Sequence, residues 1–379
     1  MLALCNARTL IDGTLTEGRA VLIDGARIAA VVARADLPVA AERHDLDGAI
    51  LAPGFIDVQV NGGGDALFND DPSVETIRRI GAAHRRFGTT GFLPTLISDD
   101  LHVIRAGIAA VDAAIDQGVP GVLGIHVEGP FINVARKGIH AAHKIRELDE
   151  EGFAVLTSLR RGRTLVTLAP ELAGPAMIRR LVAAGVTVSA GHTAGTFAEV
   201  SAGVAAGLTG FTHLFNAMSP LGSRDPGAVG AGLFHPDVWC SLIVDGHHVD
   251  PVTLRLALRC KPADRFMLVT DAMPPTGGRR PDFILNGRPI AARDGRLVDE
   301  NAVLAGADLT MLEAVRRTTA TLDVPLPVAL AMASGHPARF LGLHHRLGRI
   351  APGFDASLVA VRGGDRTGAS WIDGRAQER

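Results

Sequence analysis

Residues 122–128 read Val-Leu-Gly-Ile-His-Val-Glu, an apolar run of strand length that ends on a carboxylate. A second run, Val-Thr-Val-Ser-Ala-Gly-His at 186–192, ends on an imidazole in the same way. Other runs of this length recur along the chain, and stretches with helical periodicity lie between them. The expected strands are 54–60, 91–97, 122–127, 164–168, 186–190, 210–213, 241–244 and 266–270, and the helical patterns include 74–87, 101–117, 176–184 and 251–259.

This alternation favours an α/β fold, namely a (β/α)8 TIM-like barrel over residues 52–346. An open doubly wound sheet alternates in the same manner, so periodicity alone leaves both arrangements possible. Residues 281–300 follow the eighth strand and are expected to form a β-hairpin insert. Both chain ends carry short strand patterns, and we expect 1–51 and 347–379 to pair as one small β-sandwich domain.

The composition is that of a folded globular protein, with 47% hydrophobic and 21% charged residues among 379. The net charge of −2 and the absence of Tyr argue against nucleic acid as a partner. The sequence has no apolar run of membrane-spanning length, and its first residues lack a signal-peptide pattern. The widely spaced Cys5, Cys240 and Cys260 argue against a disulfide framework and favour a cytoplasmic location.

Polar side chains follow the ends of six expected strands, which is where barrel enzymes place their chemistry. Glu128, His192 and His213 are ligand types of an open divalent-metal site, and a metal would compensate the burial of a carboxylate. A single histidine is more often a core or surface residue, but both of these close apolar strands. His126 shares a strand face with Glu128 and is expected to pack or orient rather than ligate.

Asp271 ends the eighth expected strand and is the candidate general base. A metal would acidify a bound water, and the carboxylate would take the proton from that water. A turn or helix N-cap role for Asp271 is the alternative, because Pro274 and Pro275 follow closely. No Gly-x-Ser-x-Gly elbow is present, and the Gly62-Gly63-Gly64 run lacks the spacing of a nucleotide-binding loop.

Several motifs together resemble the N-acetylglucosamine-6-phosphate deacetylase family of the amidohydrolase superfamily. They are Ala52-Pro53-Gly54-Phe55-Ile56-Asp57, His126-Val127-Glu128-Gly129-Pro130-Phe131, Ala190-Gly191-His192-Thr193, Thr212-His213-Leu214-Phe215-Asn216-Ala217-Met218, Asp245-Gly246-His247-His248-Val249-Asp250, Val269-Thr270-Asp271-Ala272 and the segment 347–353. The resemblance implies hydrolysis of the acetamide of N-acetyl-D-glucosamine 6-phosphate to D-glucosamine 6-phosphate and acetate. It also implies a homodimer.

The resemblance further implies a role for individual residues. Glu128, His192 and His213 would hold the metal, Asp271 would be base and then acid, and His140 would polarise the acetyl carbonyl. Arg224 would reach the phosphate from the neighbouring subunit. The other substrate-binding positions would be Ile139, His140, Asn216, Ala217, His248, Leu304, Ala305 and Gly306.

The first barrel strand departs from the wider superfamily, which usually carries His-x-His there and binds a second metal. This chain has Gln59 and Asn61, and neutral amides are poor transition-metal ligands beside imidazole. We therefore predict one divalent ion per subunit, with zinc expected and iron, cobalt or manganese as alternatives. The alternative functions are deacetylation of the galactosamine epimer, hydrolysis of a cyclic amide or purine, and a non-catalytic scaffold. A scaffold would be expected to have lost Asp271 or a metal ligand.

Overall fold

The computed structural model describes residues 1–362 and 367–377, and it begins with short strands. These strands are β1 (Leu2–Cys5), β2 (Arg8–Ile11), β3 (Thr14–Thr16), β4 (Arg19–Asp24), β5 (Arg27–Ala33), β6 (Glu42–Asp45) and β7 (Ile50–Pro53). Strands β4 and β5 form an antiparallel hairpin, which turns at Gly25 with φ of 54°.

The central part of the chain alternates strands with helices. Its elements are β8 (Phe55–Val60), β9 (Gly62–Gly63), β10 (Ala66–Leu67), α1 (Val74–Arg85), β11 (Thr89–Ile97), α2 (Leu101–Asp116), β12 (Gly124–Glu128), α3 (Glu150–Leu156), β13 (Arg163–Leu168), α4 (Pro170–Ala183), β14 (Thr187–Ala190), α5 (Phe197–Ala205), β15 (Gly210–Phe211), α6 (Gly227–Phe234), β16 (Trp239–Leu242), α7 (Pro251–Cys260) and β17 (Phe266–Leu268). Local chemistry sets the helix starts, as at α5, where Thr196 and Glu199 form a capping box.

The last part of the chain holds an insert, three helices and three short strands. They are β18 (Phe283–Leu285), β19 (Arg288–Arg293), β20 (Arg296–Val298), α8 (Met311–Thr321), α9 (Leu326–Met332), α10 (Gly335–Phe340), β21 (Leu358–Val361), β22 (Ala369–Ile372) and β23 (Arg375–Ala376). No helix in the described part of the chain is long and apolar enough to cross a bilayer.

Eight parallel strands form one sheet in the order β17-β16-β15-β14-β13-β12-β11-β8. The sheet closes on itself, because Val60, the last residue of β8, forms a parallel bridge with Ala272, which lies beyond β17. The Thr270 hydroxyl also donates to the Asp57 carboxylate across the same seam, at 2.5 Å. This closure excludes the open doubly wound alternative and confirms the predicted barrel.

The two ends of the chain share one small β unit. One sheet has the order β5-β4-β1-β6, and the other joins β2, β3 and β7 to the C-terminal strands in the order β23-β22-β21-β7-β2-β3. Leu4, Val21, Leu51, Leu358 and Trp371 belong to one buried apolar cluster between them. The expected domain boundaries near 51 and 347 stay a prediction, and 363–366 and 378–379 of that region lie outside the described residues.

The Trp371→Ala variant is expected to lower the free energy of unfolding by about 3–5 kcal/mol, because a fully buried indole leaves a large cavity. Urea unfolding followed by circular dichroism measures the change. Val39→Ala is the control, since that side chain is 97% exposed and its loss should change stability by no more than about 0.5 kcal/mol. A loss below about 1 kcal/mol for Trp371→Ala would contradict the shared core.

Two expectations about local structure need correction. The expected strands 210–213, 241–244 and 266–270 each end two residues earlier, at Phe211, Leu242 and Leu268. In the first of them, His213 adopts a left-handed backbone angle (φ of 36°) that a strand ladder cannot accommodate. The insert is a three-stranded antiparallel sheet rather than a hairpin. It turns twice, at Asn286-Gly287 and at Asp294-Gly295, where all four residues have positive φ as tight primed turns require.

Candidate metal centre and active site

Four candidate side chains meet at the carboxyl-terminal edge of the barrel. Glu128 is the last residue of β12, His192 and His213 each lie two residues beyond β14 and β15, and Asp271 lies three beyond β17. All four are buried. His192, His213 and Asp271 have left-handed backbone conformations, which turn the chain sharply just beyond the end of each strand. Such strained angles concentrate at functional sites because the surrounding structure must hold them.

Glu128, His192 and His213 bring three ligand atoms together. The Oε1 atom of Glu128 lies 2.8 Å from Nε2 of His213 and 3.1 Å from Nε2 of His192. The two Nε2 atoms are 3.1 Å apart. Burial raises the pKa of Glu128, but its contacts with the two histidines outweigh burial and hold that pKa well below its ordinary value. Glu128 is therefore an anion that requires a cation beside it.

The tautomer of His192 supports a metal cation at this point. The Nδ1 atom of His192 lies 2.9 Å from the carbonyl oxygen of Arg136, which can only accept, so Nδ1 carries the proton. The Nε2 atom of neutral His192 then presents a lone pair toward Glu128 and His213. The lone pair of His192 and the Glu128 carboxylate oxygen repel one another unless a cation lies between them, and a carboxylate with two imidazoles is a donor set that suits a divalent metal.

His140 lies beside this cluster but has the opposite tautomer. The backbone N–H of Ser98 donates to its Nδ1 atom, so the proton of the neutral ring is on Nε2. Burial lowers the pKa of His140 to about 3, which keeps the ring neutral. Ligand atoms of Glu128, His140 and His192 lie within 4.8 Å of one another. Because its Nε2 carries a proton, however, His140 suits hydrogen-bond donation to an oxygen, and His213 is the better third ligand.

Asp271 is held by two side-chain amides. Its Oδ1 atom accepts from Nδ2 of Asn61 at 2.7 Å and from Nε2 of Gln59 at 3.1 Å. In the described structure no backbone N–H donates to its carboxylate, so the N-cap alternative does not apply. Burial and the charge of Glu128 raise the pKa of Asp271 to about 6, although a bound cation would lower it again. A carboxyl group in this range can both accept and return a proton near neutral pH.

Gln59 and Asn61 lie at the position where the wider superfamily carries histidines. Besides its bond to Asp271, the Gln59 amide donates to both oxygens of Glu128 at 3.2 Å. An N–H donor thus lies between the two carboxylates and reduces their repulsion without offering a lone pair to a metal. The carbonyl oxygens of both amides are buried and have no hydrogen-bond partner among the described residues.

His126 is fully bonded inside the barrel, below the cluster. Its ring nitrogens contact the hydroxyl groups of Thr95 at 3.3 Å and Thr167 at 2.8 Å. No lone pair is left for a metal, in agreement with the expected packing role.

A cavity of about 350 Å³ opens over the four side chains. Most of the positions that the sequence assigned to substrate binding line it: Ile139, His140, Asn216, Ala217, His248, Leu304 and Gly306. Ala305 is instead buried in an apolar cluster beneath the wall, and Arg224 is exposed outside the cavity. A second cavity of about 400 Å³, beside Leu10 and Arg339, is lined by no residue of the Glu128 cluster.

The structure adds wall residues that the sequence reasoning missed, among them Arg136 and Met273. The backbone carbonyl oxygen of Arg136 also contacts Nδ1 of His192. The sequence indicates a role for Arg136 only through its position in the segment between Glu128 and His140. Nothing in local periodicity distinguishes it from a solvated arginine.

Comparison with known proteins agrees with the fold and the site. Residues 50–374 match the amidohydrolase family. The chain is 40% identical to the N-acetylgalactosamine-6-phosphate deacetylase of Shewanella sp. (strain ANA-3), over 99% of this chain and 95% of that protein. It is 34% identical to the N-acetylglucosamine-6-phosphate deacetylase of Haemophilus influenzae, over 95% and 94%. The crystal structure of N-acetylglucosamine-6-phosphate deacetylase from Pasteurella multocida superposes with a TM-score of 0.96 at 33% identity, covering 100% of both chains.

A closed barrel with a buried acid–imidazole cluster at its carboxyl edge defines a hydrolase of the metal-dependent kind, and the chain belongs to the amidohydrolase family. Within it, the predicted resemblance to the N-acetylglucosamine-6-phosphate deacetylases is confirmed, over nearly the whole length of the chain.

Proposed function

We propose that the chain hydrolyses the acetamide of N-acetyl-D-glucosamine 6-phosphate to D-glucosamine 6-phosphate and acetate. The observation that supports this most is the convergence of Glu128, His192 and His213 beside Asp271 and the Nε2–H of His140, on one wall of a cavity. The named relatives act on acetylated hexosamine 6-phosphates.

Three residues would hold one divalent ion: Glu128 through Oε1, and His192 and His213 through Nε2. When bound, the ion acidifies water and polarises the acetyl carbonyl. Asp271, as a carboxylate, accepts a proton from the attacking water while the water oxygen bonds to the carbonyl carbon. His140 donates its Nε2 hydrogen bond to the oxygen that becomes negative. Asp271 then returns the proton to the amide nitrogen as the carbon–nitrogen bond breaks, which releases acetate and the amine.

Deacetylation of N-acetyl-D-galactosamine 6-phosphate is the second candidate, because the Shewanella relative is 40% identical over nearly the whole chain. Acetate release from both epimers, with the metal-loaded chain and with a cyclic amide as control, tests the proposal. A kcat/KM at least about tenfold higher for the glucosamine epimer would support the first assignment. A reversed preference would assign the second, and activity on neither epimer would overturn both.

The wild-type chain is expected to bind one equivalent of divalent metal, measured by plasma mass spectrometry after dialysis. The amide N–H groups of Gln59 and Asn61 point toward the carboxylates, so they offer no lone pair for a second ion. The double variant Gln59→His/Asn61→His adds two imidazoles and is expected to bind more than one equivalent. Two equivalents in the wild type would contradict the prediction. Zinc is the expected ion, and the same measurement distinguishes it from iron, cobalt and manganese.

A homodimer would complete the site. Arg224 is exposed and has no ion-pair partner among the described residues, and the neighbouring Leu221 and Phe234 are exposed apolar side chains. A second copy covering this surface would bury both apolar groups and carry Arg224 to the phosphate across the interface.

The cytoplasmic location expected from the cysteine pattern stays a prediction.

Complementation between two inactive variants tests the shared site. Arg224→Ala and Asp271→Asn subunits are coexpressed, and the mixed dimer is purified through two different tags. In each mixed dimer, one site combines an intact Asp271 with an intact Arg224 from the other subunit, so about half of wild-type activity is expected. Each variant purified alone should have low activity at subsaturating substrate. No recovery in the mixed dimer, or a monomer in sedimentation, would contradict the shared site.

A further inference from the structure

Asp245 lies just beyond β16 and uses both carboxylate oxygens at the edge of the cavity. Its Oδ1 atom accepts the backbone N–H groups of His247 at 2.8 Å and His248 at 2.9 Å. Its Oδ2 atom lies 2.6 Å from Nδ1 of His248. The guanidinium of Arg317, on α8, donates to the carbonyl oxygen of Asp245 at 2.9 Å and anchors the loop to the barrel. Asp245 itself does not line the cavity, whereas His248 does.

These contacts determine which nitrogen of His248 carries a proton. Burial raises the pKa of Asp245, but its bonds with His248 and His247 outweigh burial and lower that pKa to about 2. An ionised carboxylate can only accept, so Nδ1 of His248 must donate. The opposite edge of the ring, with Nε2, is then the edge available to a molecule in the cavity.

We propose that Asp245 is a positioning residue for substrate binding, which holds His248 in one tautomer and one orientation so that the lone pair on its Nε2 atom accepts a hydrogen bond from a hydroxyl group of the sugar phosphate. The inference rests on the proposed function for the identity of the substrate. It adds a residue that touches neither the substrate nor the reacting atoms and acts only through His248. A carboxylate that bonds the far nitrogen of a histidine fixes the tautomer and the orientation of its ring.

The Asp245→Asn variant separates this role from a structural one. Asparagine keeps an oxygen for the N–H groups of His247 and His248, so the loop retains its bonds. Its NH2 group replaces Oδ2 and donates, which forces Nδ1 of His248 to accept and moves the proton of the neutral ring to Nε2. Asp250→Asn is the matched control, because that carboxylate caps α7 a few residues away without contacting His248.

Three measurements are made on the metal-loaded chain. Histidine 15N NMR should show Nδ1 of His248 protonated in the wild type and in Asp250→Asn, and unprotonated in Asp245→Asn. KM for the acetylated sugar phosphate, and the Kd of D-glucosamine 6-phosphate by calorimetry, should rise about tenfold in Asp245→Asn, because a protonated Nε2 can no longer accept the hydrogen bond from the ligand hydroxyl. Its kcat should change by less than about twofold, because Asp245 acts on binding and not on the reacting bond.

A double-mutant cycle with His248→Ala decides whether Asp245 acts through His248. In that background Asp245→Asn should change Kd by less than about twofold. An equal tenfold loss with and without His248 would overturn the proposal, as would an unchanged Kd or an unchanged His248 tautomer in the single variant. If the wild type deacetylates neither epimer, the proposed function fails. The NMR spectra and the calorimetric Kd still decide whether Asp245 positions His248 for a sugar phosphate.

Discussion

Replacing Asp271 with Asn is expected to lower kcat by about 10³-fold while the bound metal stays at one equivalent. Asparagine has the size of aspartate and keeps an oxygen for the amides of Asn61 and Gln59, so the local structure is retained. It cannot accept a proton from water or return one to the leaving nitrogen. General acid–base catalysis contributes about 10²–10⁴-fold, and this carboxylate would act in both directions. Acetate release and plasma mass spectrometry of the same preparation give both quantities.

Asp112→Asn is the matched control for this variant. Asp112 is also a buried carboxylate, but it accepts backbone N–H groups of Arg160 and Arg161 far from the cluster. It should therefore retain kcat and metal. An Asp271→Asn enzyme with more than about a tenth of wild-type kcat would contradict the assigned role. If activity and metal were lost together, Asp271 would be a ligand and not the base.

Replacing Glu128 with Gln is expected to remove both bound metal and detectable turnover. The change removes only the negative charge, which is the single anionic ligand of the three-atom cluster. Metal affinity should fall by at least about 10²-fold, because the remaining imidazoles are neutral ligands and the amide is a weak one. Chelation of the wild type should abolish activity, and restored metal should recover it in the wild type but not in the variant.

Thermal unfolding provides a readout of this prediction that does not depend on activity. Metal raises the Tm of any protein that binds it only when folded. Added zinc should therefore raise the Tm of the metal-free wild type and leave Glu128→Gln unchanged. A full equivalent of zinc in Glu128→Gln, or turnover by a chelated wild type, would contradict the metal centre.

Much of the barrel and of its metal-ligand cluster can be predicted from the sequence, because both follow from the repeated alternation of strands and helices. Apolar runs alternating with helical stretches imply parallel strands, and parallel strands place their carboxyl ends at one edge. The polar residues that end those runs, Glu128, His192 and His213, therefore meet without any knowledge of the tertiary contacts. The two turns of the insert could also have been read from their Asn-Gly and Asp-Gly dipeptides, although only one hairpin was expected.

Other features depend on contacts between distant segments, and local patterns carry no signal for them. Closure of the barrel depends on Val60 meeting Ala272, and periodicity is the same in an open sheet. The proton of His140 is placed by Ser98, 42 residues away, and Asp271 is held by Gln59, 212 residues away. Arg136 reaches the cavity wall only because its loop folds over the strand ends.

The strand order and the types of the metal-ligand residues can thus be predicted from the sequence, since they depend only on the alternation of strands with helices and on residue chemistry. Only the folded structure determines which histidine nitrogens carry protons. It also determines the raised pKa of Asp271 and the orientation of the His248 ring. Each of these arises from burial or from a hydrogen bond to a partner brought close by the closed barrel and the loops at its edge, and hydrogen bonds act only over about 3 Å.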